Sequence, residues 1–159
     1  MLLSGHLSSI RGRRREHRLT NTIWTIGHGE RSFDDIERDL ATHGISLIVD
    51  VRRDPDTPKT PDFSRRRLEE RAAEAGIGYR WMGATLGRQS LSEDSGAIDD
   101  LIALATVSPI VILGGKPDPD ACHRSTVLAP ALQARDVAVV HILADGSIRR
   151  HESPLPFDR

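Results

Sequence analysis

Cys122, His123, Arg124 and Ser125 stand together at the end of a turn-forming run, "KPDPDACHRS". A thiol beside an imidazole and a guanidinium has several chemical uses. At a helix N-terminus among positive neighbours its pKa falls and it becomes a nucleophile. The free amides of that helix turn and the arginine can instead receive an anion while the sulfur takes no part. A cysteine in a helix also serves as a small buried apolar residue. No metal site is expected, because Cys122 is the only cysteine and neighbouring Cys and His side chains diverge on a helix. The spacing also lacks the longer Cys-to-Arg cradle of phosphatases and sulfur transferases. Arg124 opposes the dipole of a helix that Asp120 would cap, unless an anion compensates it. The segment therefore reads first as an anion receptor with its sulfur a bystander.

A second candidate is His28, flanked by Gly27 and Gly29 at the end of the apolar run "TIWTIGHG" (22–29). An imidazole there can act as acid, base or donor, or can simply bond the local backbone. Asp50 closes the run "ISLIVDVR" (45–52), where it would orient His28, hold Arg52 or cap a turn. Arg52, Lys116, His123 and Arg124 add donors, and Gly27 lets the backbone approach a ligand. The candidate set is thus His28, Asp50 and Cys122 for catalysis, and Gly27, Arg52, Lys116, His123 and Arg124 for ligand binding, with no metal or cofactor. The run Arg65–Arg67 reads as a solvated face paired with Glu69 and Glu70. His141, inside a strand, reads as a satisfied core histidine.

Such residues are brought together only if the strands carrying them end at one rim. Short apolar runs alternate with amphipathic stretches, which predicts an α/β domain with a mostly parallel central sheet flanked by helices, a Rossmann-like three-layer arrangement. Strands are predicted at 22–29, 45–52, 77–82, 109–115 and 137–143. Helices are predicted from Ser32 to Gly44, from Ser64 to about Ala75, over 97–106 and from Asp120 to near Arg135, with a kink or early stop at Pro130. The segment "DPDTPKTPD" (54–62), with prolines at 55, 58 and 61, is a loop, as is 83–96. In open parallel sheets, ligands bind beyond the carboxyl ends of the strands, and the second, fourth and first of these runs end in Asp50 to Arg53, Gly114 to Lys116, and Gly27 to Gly29.

The chain has 159 residues, 38% of them hydrophobic, which suits one domain with one core. A formal charge of -1 argues against attachment to nucleic acid by bulk charge. The charge is uneven, however: residues 1–22 form a basic leader, with Arg11, Arg13, Arg14, Arg15 and Arg18 against Glu16, and its composition predicts disorder. A single α/β domain is expected over 23–159. One cysteine excludes an internal disulfide, and no apolar stretch approaches the roughly 18 residues needed to span a bilayer. The expectation is a cytoplasmic protein without membrane contact. The Arg- and Ser-rich leader leaves an organelle transit segment open.

Read together, "TIGHG" (25–29), "LIVDVRRDP" (47–55), "PDFSRRRLEERAAEAGIGY" (61–79), "LGR" (86–88) and "PDPDACHRS" (117–125) give a chain that resembles the family called domain of unknown function 488, over about 23–143. The resemblance implies a small α/β domain with a polar cleft formed by His28, Asp50, Arg52, His123 and Arg124, and brings no established reaction. Relatives tend to end the third central strand with cysteine, a small residue and glutamate, where this chain has Gly114, Gly115 and Lys116. That exchange makes the pocket more anion-seeking.

Three functions remain open. The first is a domain that binds an anionic, phosphate-bearing ligand, a nucleotide or a nucleic-acid end, in a strand-end cleft, with hydrolysis or group transfer in which Asp50 orients His28 and Arg52, Lys116 and Arg124 hold phosphate. The second is a non-catalytic module that contacts nucleic acid or an acidic protein through its basic leader. The third is thiol chemistry at Cys122.

Overall fold

The computed structural model describes residues 22–87 and 96–152. The expected leader, apart from Thr22, and residues 88–95 of the expected loop lie outside the described residues.

Among the described residues, six strands form one sheet in the order β3-β2-β4-β1-β5-β6. They are β1 (Thr22–Gly27), β2 (Leu47–Asp50), β3 (Gly78–Trp81), β4 (Ile110–Gly114), β5 (Ala138–Ile142) and β6 (Ile148–Arg150). The first five run parallel, and β6 returns antiparallel to β5. Helices α1 (Phe33–Thr42), α2 (Arg65–Glu74), α3 (Gly83–Leu86), α4 (Ala97–Val107) and α5 (Ala129–Gln133) connect them. The mostly parallel three-layer arrangement is the one the alternating pattern predicts.

Strand alternation divides the core in two. On one face Ile26, Ile48, Val111, Leu113 and Ile142 meet Phe33, Ile36 and Leu40 of α1 and Leu68 and Ala72 of α2. On the other, Ile23, Val49, Ile110, Ile112 and Val139 meet Ala97, Ile98, Leu101 and Ala105 of α4 and Ala129 and Leu132 of α5. β4 is buried at all five positions, as a strand covered on both faces must be. Helix α1 begins at Ser32, whose hydroxyl accepts from the Asp35 amide, and the left-handed Gly44 (φ 66°) follows its end.

The structure departs from the sequence expectation between 118 and 133. Asp118, not Asp120, caps a single 3-10 turn, Pro119–Ala121, and Cys122 is extended (φ -131°, ψ 144°). Helical winding begins only at His123 and widens into a π turn over Arg124–Leu128 that runs into α5. Two prolines account for this. Pro119 starts the first turn, Pro130 has no N–H for the Thr126 carbonyl, and the amide just before it, that of Ala129, reaches past Ser125 to Arg124 O. The kink expected at Pro130 is thus absorbed by the π turn ahead of it. A second difference is α3, which lies in the stretch expected to be loop. A third is β6, formed by the Asp145–Gly146 turn folding the tail back on β5.

Candidate functional site

After β1 the chain crosses to β2, on one side of the sheet; after β4 it crosses to β5, on the other. The loops leaving these adjacent strands diverge, and a crevice opens between them. It has a volume of about 850 Å³. Its walls include His28 after β1, Arg52 to Asp54, Thr57, Lys59 and Thr60 after β2, and Gly114 to Lys116 after β4. Ala121 and His123 close the far side.

Asp50 is fully buried at the end of β2. Its Oδ1 accepts from the Arg52 amide (3.0 Å) and Arg52 Nε (2.9 Å), and its Oδ2 accepts from Arg52 Nη2 (2.8 Å) and the Tyr79 hydroxyl (2.6 Å). This is a two-pronged guanidinium–carboxylate pair with its remaining lone pairs filled, the condition for a buried pair to be tolerated. Burial, and then the hydrogen bond to Asp50, push the Tyr79 hydroxyl pKa up, so Tyr79 stays a donor. Arg52 Nη2 also donates to the Phe63 carbonyl at 2.6 Å. Arg52 is thereby neutralised and fixed.

His28 lies against this unit. Its ring stacks on Phe63 (centroids 4.6 Å apart, planes 12° apart), and Arg52 Nη1 stands 3.3 Å from its Nε2. Nδ1 is 3.0 Å from the Gly29 carbonyl, which can only accept, so Nδ1 carries the proton and Nε2 the lone pair. Burial first, and the Arg52 and Arg124 charges after it, lower the His28 pKa. The imidazole is neutral at pH 7. Asp50 acts on it through its charge, which opposes this lowering, and through Arg52, which it holds.

Arg124 is also fully buried, beneath the loop that follows β4. Nη1 donates to Lys116 O at 2.7 Å and Nη2 to Pro117 O at 3.3 Å. Among the described residues it has no carboxylate within salt-bridge distance, and its Nε has no acceptor. Gly27 and Gly114 make room for this packing. A Cβ on Gly27 would stand 1.7 Å from Lys116 O, and one on Gly114 would stand 2.8 Å from Arg124 Nη1 and 3.1 Å from Cys122 Sγ.

His123 is half-buried, with Nε2 2.9 Å from Leu86 O and Nδ1 3.9 Å from Cys122 Sγ. Cys122 is 8% exposed. Burial raises its thiol pKa, but the contact with His123, the Arg124 amide and the Arg124 charge outweigh that and leave it at about 7.

The expected residues are therefore gathered at one rim, in two layers. His28, Arg52, Lys116 and His123 line the cleft. Gly27, Asp50, Cys122 and Arg124 lie behind it, and shape or charge what lines it. Over residues 32–96 the chain matches the family model Domain of unknown function DUF488. The DUF488 match takes in Asp50, Arg52 and the proline-rich loop, and stops short of "TIGHG" and "PDPDACHRS", which carried the wider resemblance. No curated protein and no solved structure matches the chain.

Several site residues were not singled out from the sequence. Nothing in the sequence marks Phe63 or Tyr79 for the site, and only the fold shows them against His28 and Asp50. Arg53 and Lys59 carried a usable signal, since one precedes and the other lies within the loop following a central strand. His141 is buried as expected, 2.6 Å from Thr25 Oγ1 and 2.9 Å from His151 Nδ1. Among the described residues no cluster suited to a metal ion occurs, and no helix is long and apolar enough to cross a membrane.

Proposed function

We propose that the strand-end cleft binds an anionic, phosphate-bearing ligand. The observation that carries this reading is the charge left over in the wall. Arg53, Lys59 and Lys116 line the cleft with Asp54 as the one lining carboxylate among the described residues, and none of the three cations makes an ion pair with a described residue. Arg52 does not add to this surplus, because Asp50 consumes its charge. Its role is to hold His28 and the Phe63 carbonyl in place. Arg124 acts from below, fixing the backbone that carries Lys116.

If a reaction occurs on the ligand, His28 enters it as a base through Nε2. The acid role weighed from sequence would need a second proton that burial disfavours.

Titration of the full chain with inorganic phosphate and with a nucleoside monophosphate tests the proposal. Wild-type protein binds at least one of them. Lys116→Glu weakens that binding by roughly tenfold or more, since it reverses a charge near the ligand. Equal affinities for the two proteins would overturn the reading. If instead the basic leader is the binding element, deleting residues 1–22 removes nucleic-acid affinity together with its salt dependence, and Lys116→Glu leaves it intact.

A further inference from the structure

We propose that Cys122 is a site of oxidation by small hydroperoxides, with the buried Arg124 guanidinium as its counter-ion and His123 as the carrier of its proton. The inference is independent of any ligand in the cleft. It starts from an imbalance, since a fully buried guanidinium ordinarily has a carboxylate partner. Arg124 has two carbonyls and an unpartnered Nε. The group beside it that can carry negative charge is Cys122: Arg124 Nη1 and Cys122 Sγ converge on one point above Gly114, 2.8 and 3.1 Å from it. Asp118 acts on Arg124 only through longer-range charge.

His123 completes the arrangement. The Leu86 carbonyl at 2.9 Å can only accept, so the neutral ring carries its proton on Nε2 and a lone pair on Nδ1. Nδ1 is the atom that faces the sulfur, at 3.9 Å. A nucleophile, a base and a group that fixes the base are thus in sequence. The thiol is nearly enclosed behind Gly114, Ala121 and His123, and this favours an oxidant no larger than hydrogen peroxide or a short alkyl hydroperoxide.

In the step itself, the thiol proton passes to His123 Nδ1 and the thiolate sulfur attacks one peroxide oxygen. An S–O bond forms as the O–O bond breaks. The departing hydroxide or alkoxide takes the proton from Nδ1 and leaves as water or alcohol. Sulfur loses two electrons, and the peroxide gains them. The product is a sulfenic acid, whose anion keeps the pairing with Arg124. With one cysteine in the chain it cannot close an internal disulfide, so it awaits an external thiol.

The test is oxidation of the full chain by hydrogen peroxide, followed by intact mass and peptide mapping across pH. We expect one oxygen at Cys122, absent in Cys122→Ser, with a rate whose pH midpoint lies near 7. The same chain in guanidinium should show the midpoint of a free thiol, about 8.5. Arg124→Lys, which keeps the charge, should hold the midpoint low, and His123→Ala should raise it. No oxygen at Cys122 in the folded wild-type protein, or a folded midpoint equal to the unfolded one, would overturn the proposal.

Discussion

Arg124 holds the Lys116 carbonyl at 2.7 Å from below, in the space left where Gly27 has no side chain. The rim of the cleft therefore rests on a buried guanidinium, and its shape depends on atoms that do not face the cleft.

Gly27→Ala should be strongly destabilising. The added methyl would meet a backbone oxygen at 1.7 Å, and neither β1 nor the Lys116 loop can yield without breaking other bonds. A cost of about 3 kcal/mol or more is expected from forced overpacking, read as a lower urea midpoint. An unchanged midpoint would mean the loop can lift from β1 freely.

Asp50→Asn leaves the Arg52 guanidinium buried without its counter-charge, for which about 3–5 kcal/mol is typical. Tyr79→Phe removes a single hydrogen bond to the same carboxylate and should cost less, about 1.5–3 kcal/mol. Chemical denaturation of both variants checks the order. If Tyr79→Phe proved the more damaging, the carboxylate would not be the centre of this unit.

By contrast, Asp34→Asn should leave stability within about 0.5 kcal/mol. It breaks the 2.8 Å bridge between Arg71 of α2 and an exposed Asp34 of α1, where solvent screens the pair. The thermal midpoint should not move by more than the measurement error.

Stability should fall on the acid side of neutrality. Burial, then the charges of His151, Arg124 and Arg149, lower the His141 pKa to about 4. The folded state thus binds its proton more weakly than the unfolded chain, where a histidine titrates near 6.5. The stabilisation is complete above about pH 6.5 and is lost as pH falls toward 4, about 3 kcal/mol in all. His28 is shifted in the same direction and adds to the slope. His141→Gln, which does not titrate, should flatten the pH dependence between 6.5 and 5 while lowering the plateau.

The sheet was legible because β1, β2 and β4 are compact apolar runs ending in glycine or charge, and that pattern follows from burial on both faces. Strand ends in turn located His28, Arg52 and Lys116. Division of labour between lining and support was not legible. Arg52 and Arg124 are the same residue type, and each has aspartate upstream, Asp50 before Arg52 and Asp118 and Asp120 before Arg124. Only packing shows that one has its carboxylate and the other does not. The late helix start was also hidden: Asp120 reads as the cap of one long helix, whereas Pro119 starts a separate 3-10 turn that Asp118 caps. β6 escaped notice because its three residues, Ile148, Arg149 and Arg150, are all exposed and show no alternation.

That last strand and β3 form the two borders of the sheet, and both are brief, three and four residues long. Each carries arginine, Arg80 on one and Arg149 and Arg150 on the other. A strand from a second molecule adding at either border would find few backbone partners and would bring cations side by side. Short, charged margins of this kind guard a parallel sheet against growing from molecule to molecule into an aggregate.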